Sequence, residues 1–391
     1  MKIAIAVKNY SKTGGISRYV AELAERYAGH DEVHVYASSW RDVGNSSIIF
    51  HKVPMINIRL LKKLKKHAWH NLFEVASFVL TSYFMIRADR YDIVHIQGDY
   101  MGAFDIYTAH SCHRAWLDIV NRQDLGILER LKKSAFNPLH AIILMIEKHN
   151  LRKAKKIISI SEREKEYIIE HYSIAPEKIV PLPHGVDLDS FSIKDRDSKR
   201  KEIRAGYNFN ADDTVLLFTA HEFKRKGLGQ IIEAMNDLNR NDLKLLVIGK
   251  DDPAPYIELA EQAGLTERVI FAGTVSDIED YYAAADLFVF PTMYEPFGLV
   301  ILEAMAAGLP VITSRSAGAA ELIEDGEEGL LLDDDKDVKE VADKIRLVMD
   351  NSSLRHDLGM NAADKARRYS WDDIAERTYK LYKEVLEAGK L

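Results

Sequence analysis

The chain has 391 residues, of which 47% are hydrophobic and 29% are charged, and it contains a single cysteine, Cys112. This length allows two or three domains that each bury a core, and the composition excludes a disulfide-stabilised miniprotein and a largely disordered chain. The net charge of −7 combines +6 over residues 1–190 with −13 over residues 191–391. Positive charge spread so thinly over the first half does not indicate a nucleic-acid-binding surface.

Short apolar runs alternate with longer segments of helical period along the chain, which predicts βα units and parallel sheets. In the first half, strands are predicted over residues 2–7, 33–37, 93–97, 106–108, 157–160 and 179–182. In the second half, they are predicted over residues 215–219, 243–248, 269–272, 287–291, 311–313 and 329–332. Pro181, Pro183 and Gly185 lie between the two series and predict a hinge. We therefore predict an α/β protein with domains over residues 1–183 and 184–369, and a last helix over residues 370–391 that packs back on the first domain.

The location of the protein is predicted from its cysteine content and its N-terminus. A lone cysteine cannot form an internal disulfide, which favours the cytoplasm. The apolar run at residues 1–7 is a first strand and is too short for a signal peptide.

Gly14 and Gly15 follow this first strand and precede a helical segment. Adjacent glycines let the backbone approach a phosphate closely, and amides at the start of a helix point toward an anion. The pair predicts a phosphate contact, with a tight turn that binds nothing as the alternative. A G-x-G-x-x-G fingerprint is absent from the sequence, which argues against a dinucleotide-dependent dehydrogenase.

A basic amphipathic segment at residues 57–70 predicts docking to a membrane surface. Its apolar positions are leucines, and its membrane-binding candidates are Lys62, Lys63, Lys65, Lys66 and Trp69. Lysines attract anionic lipid, and tryptophan favours the bilayer interface. An ordinary solvated helix face is the alternative. Polar residues interrupt the apolar stretch at residues 71–86, so we do not expect it to cross the membrane.

Two motifs in the second half predict a site for an anionic, hydroxyl-rich ligand. Arg225 and Lys226, just after a predicted strand, combine a forked donor with a point charge and suit a diphosphate; a solvated basic turn is the alternative. Glu295 and Glu303 flank an apolar segment. If that segment is helical throughout, eight positions place them about 80° apart around the axis and about two turns apart along it. A glutamate in so apolar a helix needs donors, which ligand hydroxyls supply. The alternative is that Glu295 only complements the helix dipole in the first turn and that Glu303 pairs with a nearby basic side chain.

These residues carry a resemblance to a known family. The segment from Glu295 to Glu303 resembles the E-x7-E signature of the retaining glycosyltransferases of family 4, which have the GT-B fold of two facing Rossmann-like domains with the active site in the cleft between them. Further segments occur in the order of that family, namely residues 223–227, 271–274, 285–287 and 308–311. Residues 105–107, 223–227 and 248–251 look most like the lipopolysaccharide core glucosyltransferases. Residues 296–298 depart from that subgroup, which carries small residues there.

The resemblance implies a role for each matching position. Glu303 would hold the ribose hydroxyls of a nucleotide-sugar donor, and Glu295 would hold the transferred sugar. The amides expected around the sugar and its phosphate are those of Phe297, Gly298, Leu299 and Val300. Arg225 and Lys226 would neutralise the diphosphate, which Gly15 would approach from the other domain. Thr274 and Val275 would meet the base, and His110 would lie near the transferred sugar, with a purely structural histidine as the alternative.

The sequence also bears on metals and cofactors. Asp333, Asp334 and Asp335 form a charged turn without a nearby histidine, so we predict a solvated turn and no metal site. Fixed cations and helix amides can stabilise a departing diphosphate, and we expect no cofactor.

The resemblance thus implies a metal-independent retaining glycosyltransferase with an acceptor-binding first domain and a donor-binding second domain. It would transfer a hexose from UDP-glucose or a similar nucleotide sugar to a lipid-linked saccharide such as lipopolysaccharide core. We expect the enzyme to be cytoplasmic and peripheral at the inner face of the membrane. The alternatives are another acceptor (a phospholipid, a capsule precursor or a soluble sugar), a nucleotide-sugar epimerase, or a non-catalytic module that binds sugar nucleotides.

Overall fold

A computed structural model describes residues 1–56, 67–87, 90–121, 138–191 and 196–389. The chain divides into two compact units. Unit 1 joins Met1–His184 to Trp371–Leu391, and unit 2 is Gly185–Ser370. Each unit is built around a parallel β-sheet, and all twelve predicted strands lie in these two sheets. The predicted fold class is therefore confirmed.

The strands of unit 1 are β1 Lys2–Ala6, β2 Asn9–Tyr10, β3 Glu32–Ala37, β4 Ser39–Trp40, β5 Ile49–Lys52, β6 Ile93–Ile96, β7 Ile106–Ala109, β8 Lys156–Ser159 and β9 Ile179–Pro181. Seven of them form a parallel sheet in the order β5-β3-β1-β6-β7-β8-β9, and β2 pairs with β4. Ile3, Ala4 and Ile5 of the interior strand β1 are fully buried. Burial of consecutive residues is typical of a parallel strand that helices cover on both faces.

The described helices of unit 1 are α1 Gly15–Tyr27, α2 His67–Arg87, α3 His113–Asn121, α4 Pro138–Lys153, α5 Glu162–Tyr172 and the C-terminal helix Trp371–Ala388. Buried residues of the C-terminal helix recur at helical spacing, namely Trp371, Ile374, Ala375, Thr378, Leu381, Tyr382 and Val385. This apolar stripe faces the core of unit 1.

Two hydrogen bonds fix the C-terminal helix in unit 1. The Tyr27 hydroxyl donates to the Ala375 carbonyl at 2.9 Å, and the Tyr382 hydroxyl lies 2.7 Å from His95 Nδ1. Because these partners belong to α1 and β6, the last helix completes a core that the first part of the chain begins.

The strands of unit 2 are β10 Thr214–Thr219, β11 Leu243–Ile248, β12 Val269–Gly273, β13 Leu287–Phe290, β14 Val311–Ser314 and β15 Gly329–Leu332. They form a parallel sheet in the order β12-β11-β10-β13-β14-β15. The α-helices of this unit are α6 Leu188–Phe191, α7 Arg196–Gly206, α8 Phe223–Lys226, α9 Leu228–Leu238, α10 Ala254–Gln262, α11 Ile278–Ala284, α12 Leu299–Ala306, α13 Val338–Asp350 and α14 Ser352–Ala366. The carboxyl ends of parallel strands meet at one edge, where open α/β sheets bind ligands.

Three strands, β2, β4 and β5, are missing from the predicted set. Strands β2 and β4 have two residues each. Strand β5 lies at the edge of its sheet, with Phe50 and His51 only half-buried. An edge strand needs less apolar sequence than a central one, so its sequence signal is weak.

Among the described helices, none combines the length and the apolar character that crossing a membrane requires. The predicted docking residues Lys62, Lys63, Lys65 and Lys66 lie outside the described residues, as does the side chain of Trp69.

Candidate active site

The basic turn at residues 223–227 lies at the carboxyl edge of the unit 2 sheet, just after β10. The Phe223 amide donates to Asp251 Oδ2 at 2.7 Å. The Arg225 carbonyl accepts from the Met293 amide at 3.0 Å and from the Thr292 hydroxyl at 3.3 Å. These bonds hold the basic turn against the segments that follow β11 and β13, although the three are far apart in the sequence.

Lys226 and Glu295, both predicted to act on the donor, form an ion pair. Lys226 is 5% exposed, and its Nζ lies 5.3 Å from the centre of the Phe290 ring. Burial and then the positive charge of Arg225 lower the pKa of Lys226 well below its usual value, while the negative charge of Glu222 opposes this shift. The structure thus places Lys226 in the protein interior and not on a solvated turn.

Arg225 occupies a more open position than Lys226. Its side chain is 22% exposed, and its Nη1 donates to the Tyr294 carbonyl. Its Nε donates to Glu222 Oε2 at 3.1 Å. Glu222 itself has the left-handed φ of 62° that redirects the chain into α8. The two neighbouring cations are therefore fixed by different partners, one in the interior and one near the surface.

Glu303 lies on α12 and is 8% exposed. The Tyr282 hydroxyl lies 3.1 Å from Glu303 Oε2 and 3.2 Å from the Val300 carbonyl. A buried carboxylate needs such donors, because removing it from water is otherwise costly. Nothing in the sequence singles out Tyr282 among the tyrosines of the chain, so this contact was not predicted.

The segment from Glu295 to Glu303 is not helical throughout, so the angle of about 80° does not describe the two glutamates. Helix α12 begins only at Leu299, because Gly298 adopts a left-handed φ of 100°. Glu295 lies in the preceding loop, where its carbonyl accepts from the Gly318 amide at 2.8 Å. The position of Glu295 is therefore set by the loop and by Lys226, while the predicted amides at residues 297–300 lie where the loop enters the helix.

Thr274 and Val275, predicted to meet the base, follow the end of β12 at Gly273. The Gly273 carbonyl accepts from the Gly249 amide at 2.8 Å, which joins this turn to the end of β11. Thr274 is exposed and Val275 is half-buried. The turn thus lies at the same edge of the sheet as the basic turn.

In unit 1, Gly14 and Gly15 form the turn into α1. Gly14 has a left-handed φ of 87°, and both glycines are exposed. A Cβ atom added to either would meet no other atom within 4 Å. The backbone of this turn is therefore accessible to a ligand of unit 1.

A cavity of about 350 Å³ lies at the carboxyl edge of the unit 1 sheet. This volume is at the lower end of the ordinary range for ligand pockets, about 300–1,000 Å³. Its polar lining includes Lys8, Asn9, Gln97, Asp99, His110 and Glu147. Burial raises the pKa of Asp99, and the charge of Lys8 opposes this shift.

His110 follows β7 and lines this cavity. Its Nε2 lies 2.8 Å from Gln97 Oε1, and its Nδ1 lies 3.3 Å from His184 Nε2. Burial, followed by the charges that His184 and His95 could carry, lowers the pKa of His110 well below its usual value. His110 is therefore neutral near pH 7.

Two other buried histidines, His95 and His184, make the stability of unit 1 depend on pH. Burial lowers the pKa of each from 6.5 to about 3. Below pH 6.5 the unfolded chain binds a proton at each site while the folded unit does not, so the free energy of unfolding falls as the pH falls. Between pH 6.5 and 3 the loss is about 1.4 kcal/mol per pH unit for each histidine.

We therefore expect the urea midpoint of unit 1 to fall between pH 7 and pH 5, and to fall less in His95→Gln. The exposed His356 provides the matched control, His356→Gln, which should reproduce the parent pH dependence. Equal slopes for the parent and the His95 variant would contradict the assignment.

The aspartate turn at residues 333–335 is involved in surface ion pairing. Arg315 Nε lies 2.7 Å from Asp333 Oδ1. Within the described ranges, no cluster of three or more histidine, cysteine, aspartate or glutamate residues is arranged to hold a metal ion.

Comparison with known families finds two matches that together span most of the chain. Residues 13–190 match the family described as Glycosyltransferase Family 4. Residues 199–365 match the family described as Glycosyl transferases group 1. The first match falls almost wholly in unit 1, and the second lies within unit 2.

Individual relatives agree with these matches. A glycosyltransferase of Methanocaldococcus jannaschii is 28% identical over 309 residues, covering 78% of each chain. The lipopolysaccharide glucosyltransferase WaaG of Escherichia coli is 28% identical over 377 residues, covering 95% of this chain and 94% of WaaG.

Solved structures share the fold over nearly the full length. The crystal structure of WaaG superposes with a TM-score of 0.79 at 24% identity, covering 97% of this chain and 99% of WaaG. HepE of Anabaena, in complex with UDP and glucose, superposes with a TM-score of 0.71 at 20% identity, covering 98% and 100% of the two chains.

Proposed function

Because the chain belongs to the GT-B glycosyltransferases that join a family 4 domain to a group 1 domain, we propose that it transfers a hexose from a nucleotide sugar to a lipid-linked saccharide. UDP-glucose or a similar sugar is the proposed donor, and lipopolysaccharide core is the leading acceptor. The relative WaaG is a lipopolysaccharide glucosyltransferase, and a structural neighbour was solved with UDP and glucose. The activity of WaaG supports the proposed acceptor, and the ligands of the structural neighbour support the proposed donor.

The ion pair of Lys226 with Glu295 carries the proposal, because it places a buried lysine beside a half-buried carboxylate at the carboxyl edge of the sheet. In the proposed complex, Lys226 and Arg225 contact the diphosphate and Glu295 contacts hydroxyls of the transferred sugar. When the bond between sugar and phosphate breaks, negative charge grows on the diphosphate. Fixed cations then bind it more strongly than in the ground state, which lowers the barrier.

We propose retention of the anomeric configuration and a reaction that requires no metal. The acceptor hydroxyl oxygen bonds to the anomeric carbon on the face from which the diphosphate departs, and the hydroxyl proton passes to the departing diphosphate. Glu295 is unsuited to act as a covalent nucleophile, because its carboxylate is engaged by Lys226. A proton NMR spectrum of the product, made with UDP-glucose as the first donor tested, would establish the anomeric configuration. Inversion, or a strict need for a divalent cation, would refute this part of the proposal.

We expect Glu303→Ala to weaken the binding of UDP-glucose by about 10- to 100-fold, because hydrogen bonds to a charged group contribute about 1.5–3 kcal/mol each. Isothermal titration calorimetry with the full-length chain measures this directly. Glu233→Gln, at an exposed position of α9, is the control and should bind like the parent. Unchanged affinity in Glu303→Ala would exclude the contact with ribose.

A thermal-shift comparison of UDP-, GDP- and ADP-sugars tests the donor class itself. A ligand that binds only the folded protein raises the melting temperature. If only GDP- or ADP-sugars raised the melting temperature, the donor would be a sugar of that nucleotide and not a UDP-sugar. If a sugar nucleotide were turned over without raising the melting temperature at any concentration, saturable donor binding would be contradicted.

We also propose that the protein docks on anionic membranes through residues 57–70 and the adjoining helix α2. Leu80 and Phe84 of α2 are 61% and 63% exposed, and Phe73, on the same face, is 40% exposed. An exposed apolar stripe is typical of helices that lie in a bilayer interface, and a lysine cluster precedes this one in the sequence.

Replacing Lys62, Lys63, Lys65 and Lys66 with glutamine is expected to lower partitioning onto phosphatidylserine vesicles by two to three orders of magnitude, since each lysine contributes about 1 kcal/mol. Sedimentation measures this effect, and pure phosphatidylcholine vesicles provide the control surface. Equal partitioning of the parent and the variant onto anionic vesicles would remove the docking proposal.

A further inference from the structure

Three polar side chains at the carboxyl edge of the unit 1 sheet form a chain around His110. Gln97 directly follows β6, His110 directly follows β7, and His184 comes three residues after β9. Gln97 and His184 are 7% and 5% exposed. Because they end different strands of one sheet, the backbone fixes their spacing without a flexible loop at Gln97 or His110.

Both ring nitrogens of His110 are engaged by these neighbours. Its Nε2 lies 2.8 Å from Gln97 Oε1, and its Nδ1 lies 3.3 Å from His184 Nε2. A carboxamide oxygen only accepts hydrogen bonds, so His110 Nε2 must carry the hydrogen. The remaining lone pair, on Nδ1, then accepts from the Nε2–H of His184.

Aromatic rings close the remaining sides of His110 and His184. The Tyr19 ring meets His110 edge to face, with 5.1 Å between ring centres, and its centre lies 5.3 Å from that of His184. Trp371 of the C-terminal helix lies beside both Tyr19 and His184. This packing prevents the two imidazoles from rotating away from each other.

We propose that Gln97 and His184 are positioning residues that hold His110 as a neutral imidazole, with its hydrogen on Nε2 and its Nδ1 lone pair occupied. His110 then lines its cavity through ring carbons and backbone, and it neither takes a proton from an acceptor hydroxyl nor donates one to the departing diphosphate. The bearing of this inference on catalysis rests on the proposed function, because only the proposed function places His110 beside the transferred sugar.

Several charged or titratable groups surround His110 and bear on its protonation. On the strands and helices packed against it these are Lys8, Arg18, Tyr19, His95, Asp99, Tyr107, His113, Glu147 and His184. The cations and imidazoles among them disfavour a charged His110. Glu147 is engaged by the His113 amide at 2.7 Å and by the Tyr172 hydroxyl, so it is not placed to neutralise an imidazolium at His110.

Ring-nitrogen NMR of the full-length chain labelled with 15N-histidine tests the proposal without any substrate. The His110 signals are identified by their loss in His110→Gln. We expect the neutral tautomer with hydrogen on Nε2, and no change between pH 5.5 and 8.5. Hydrogen on Nδ1, or a His110 cation that forms near pH 6.5, would overturn the proposal.

Variants of the two neighbours provide a second test. Gln97→Glu places a carboxylate at the Nε2 hydrogen, and we expect a His110 cation at pH 7. His184→Asn keeps an N–H donor and should keep the parent tautomer, whereas His184→Leu should give a mixture of tautomers. If both His184 variants left the tautomer unchanged, His184 would have no positioning role.

The pH dependence of turnover connects this arrangement to the reaction. The parent enzyme should show no acidic limb caused by His110, because a neutral imidazole with both ring nitrogens engaged neither gains nor loses a proton during turnover. A parent profile with an acidic limb that His110→Gln removes would show that His110 does exchange a proton. If no nucleotide sugar is turned over at all, the proposed function fails while the NMR result still decides the arrangement of His110.

Discussion

Lys226→Met is expected to lower turnover by about 100- to 1,000-fold, the usual effect of removing one preorganised group that stabilises charge in the transition state. The substitution removes a cation from the predicted diphosphate site. It also leaves the Glu295 carboxylate, which is only 19% exposed, without its partner beside a ligand of the same charge. The loss should therefore appear in both kcat and donor affinity, measured as release of UDP from UDP-glucose.

A neighbouring lysine provides a matched control for this effect. Lys224 lies on the same turn but is exposed, so Lys224→Met should retain nearly full activity. The double variant Lys226→Met with Glu295→Gln removes the unpaired charge, and we expect it to recover thermal stability without recovering turnover. Equal activity of the two single lysine variants would refute a catalytic role for Lys226.

Gly227→Ala is expected to destabilise unit 2 by about 3 kcal/mol and to lower turnover by about 100-fold. Gly227 has a left-handed φ of 83°, and an added Cβ would lie 2.2 Å from the Pro291 carbonyl oxygen. The left-handed conformation costs a non-glycine residue about 1–2 kcal/mol, and relief of the clash costs a further 1–3 kcal/mol. Because backbone atoms form the contact, the basic turn has to move, and a shift of about 1 Å is enough to lower the rate 100-fold.

Gly229→Ala is the control for this second prediction. Gly229 lies in α9, and an added Cβ would meet no other atom within 4 Å. Alanine favours a helix over glycine, so this variant should be more stable by up to about 1 kcal/mol. Urea unfolding at pH 7.5 compares the two variants. If Gly227→Ala unfolded at the same urea concentration as the parent, the close approach of Gly227 to Pro291 would not be required for stability.

Much of the fold could be predicted from the sequence, because buried parallel strands have a strong local signature. All twelve predicted strands belong to the two sheets, and their consecutive apolar residues are the feature that burial on both faces requires. Strand β5 was missed because an edge strand with half-buried side chains needs no such run. Local sequence thus predicts the interior of each sheet better than its edges.

The candidate site was less predictable, because its geometry depends on contacts between distant segments. The ion pair of Lys226 with Glu295 joins two turns that follow different strands, and no local pattern shows that Lys226 is buried. The relative placement of Glu295 and Glu303 also departs from that of one continuous helix, because the left-handed Gly298 leaves Glu295 in the loop before α12. The contact of Tyr282 with Glu303 likewise depends on how α11 packs against α12.

The contribution of the C-terminal helix to unit 1 has a consequence for synthesis on the ribosome. Tyr27 and His95 find their partners on a helix that begins at Trp371, so the nascent first half emerges without a piece of its own interior. Unit 2 is contiguous in the chain and can fold during translation, whereas unit 1 has to wait, with apolar surface uncovered, until the helix that begins at Trp371 has been made.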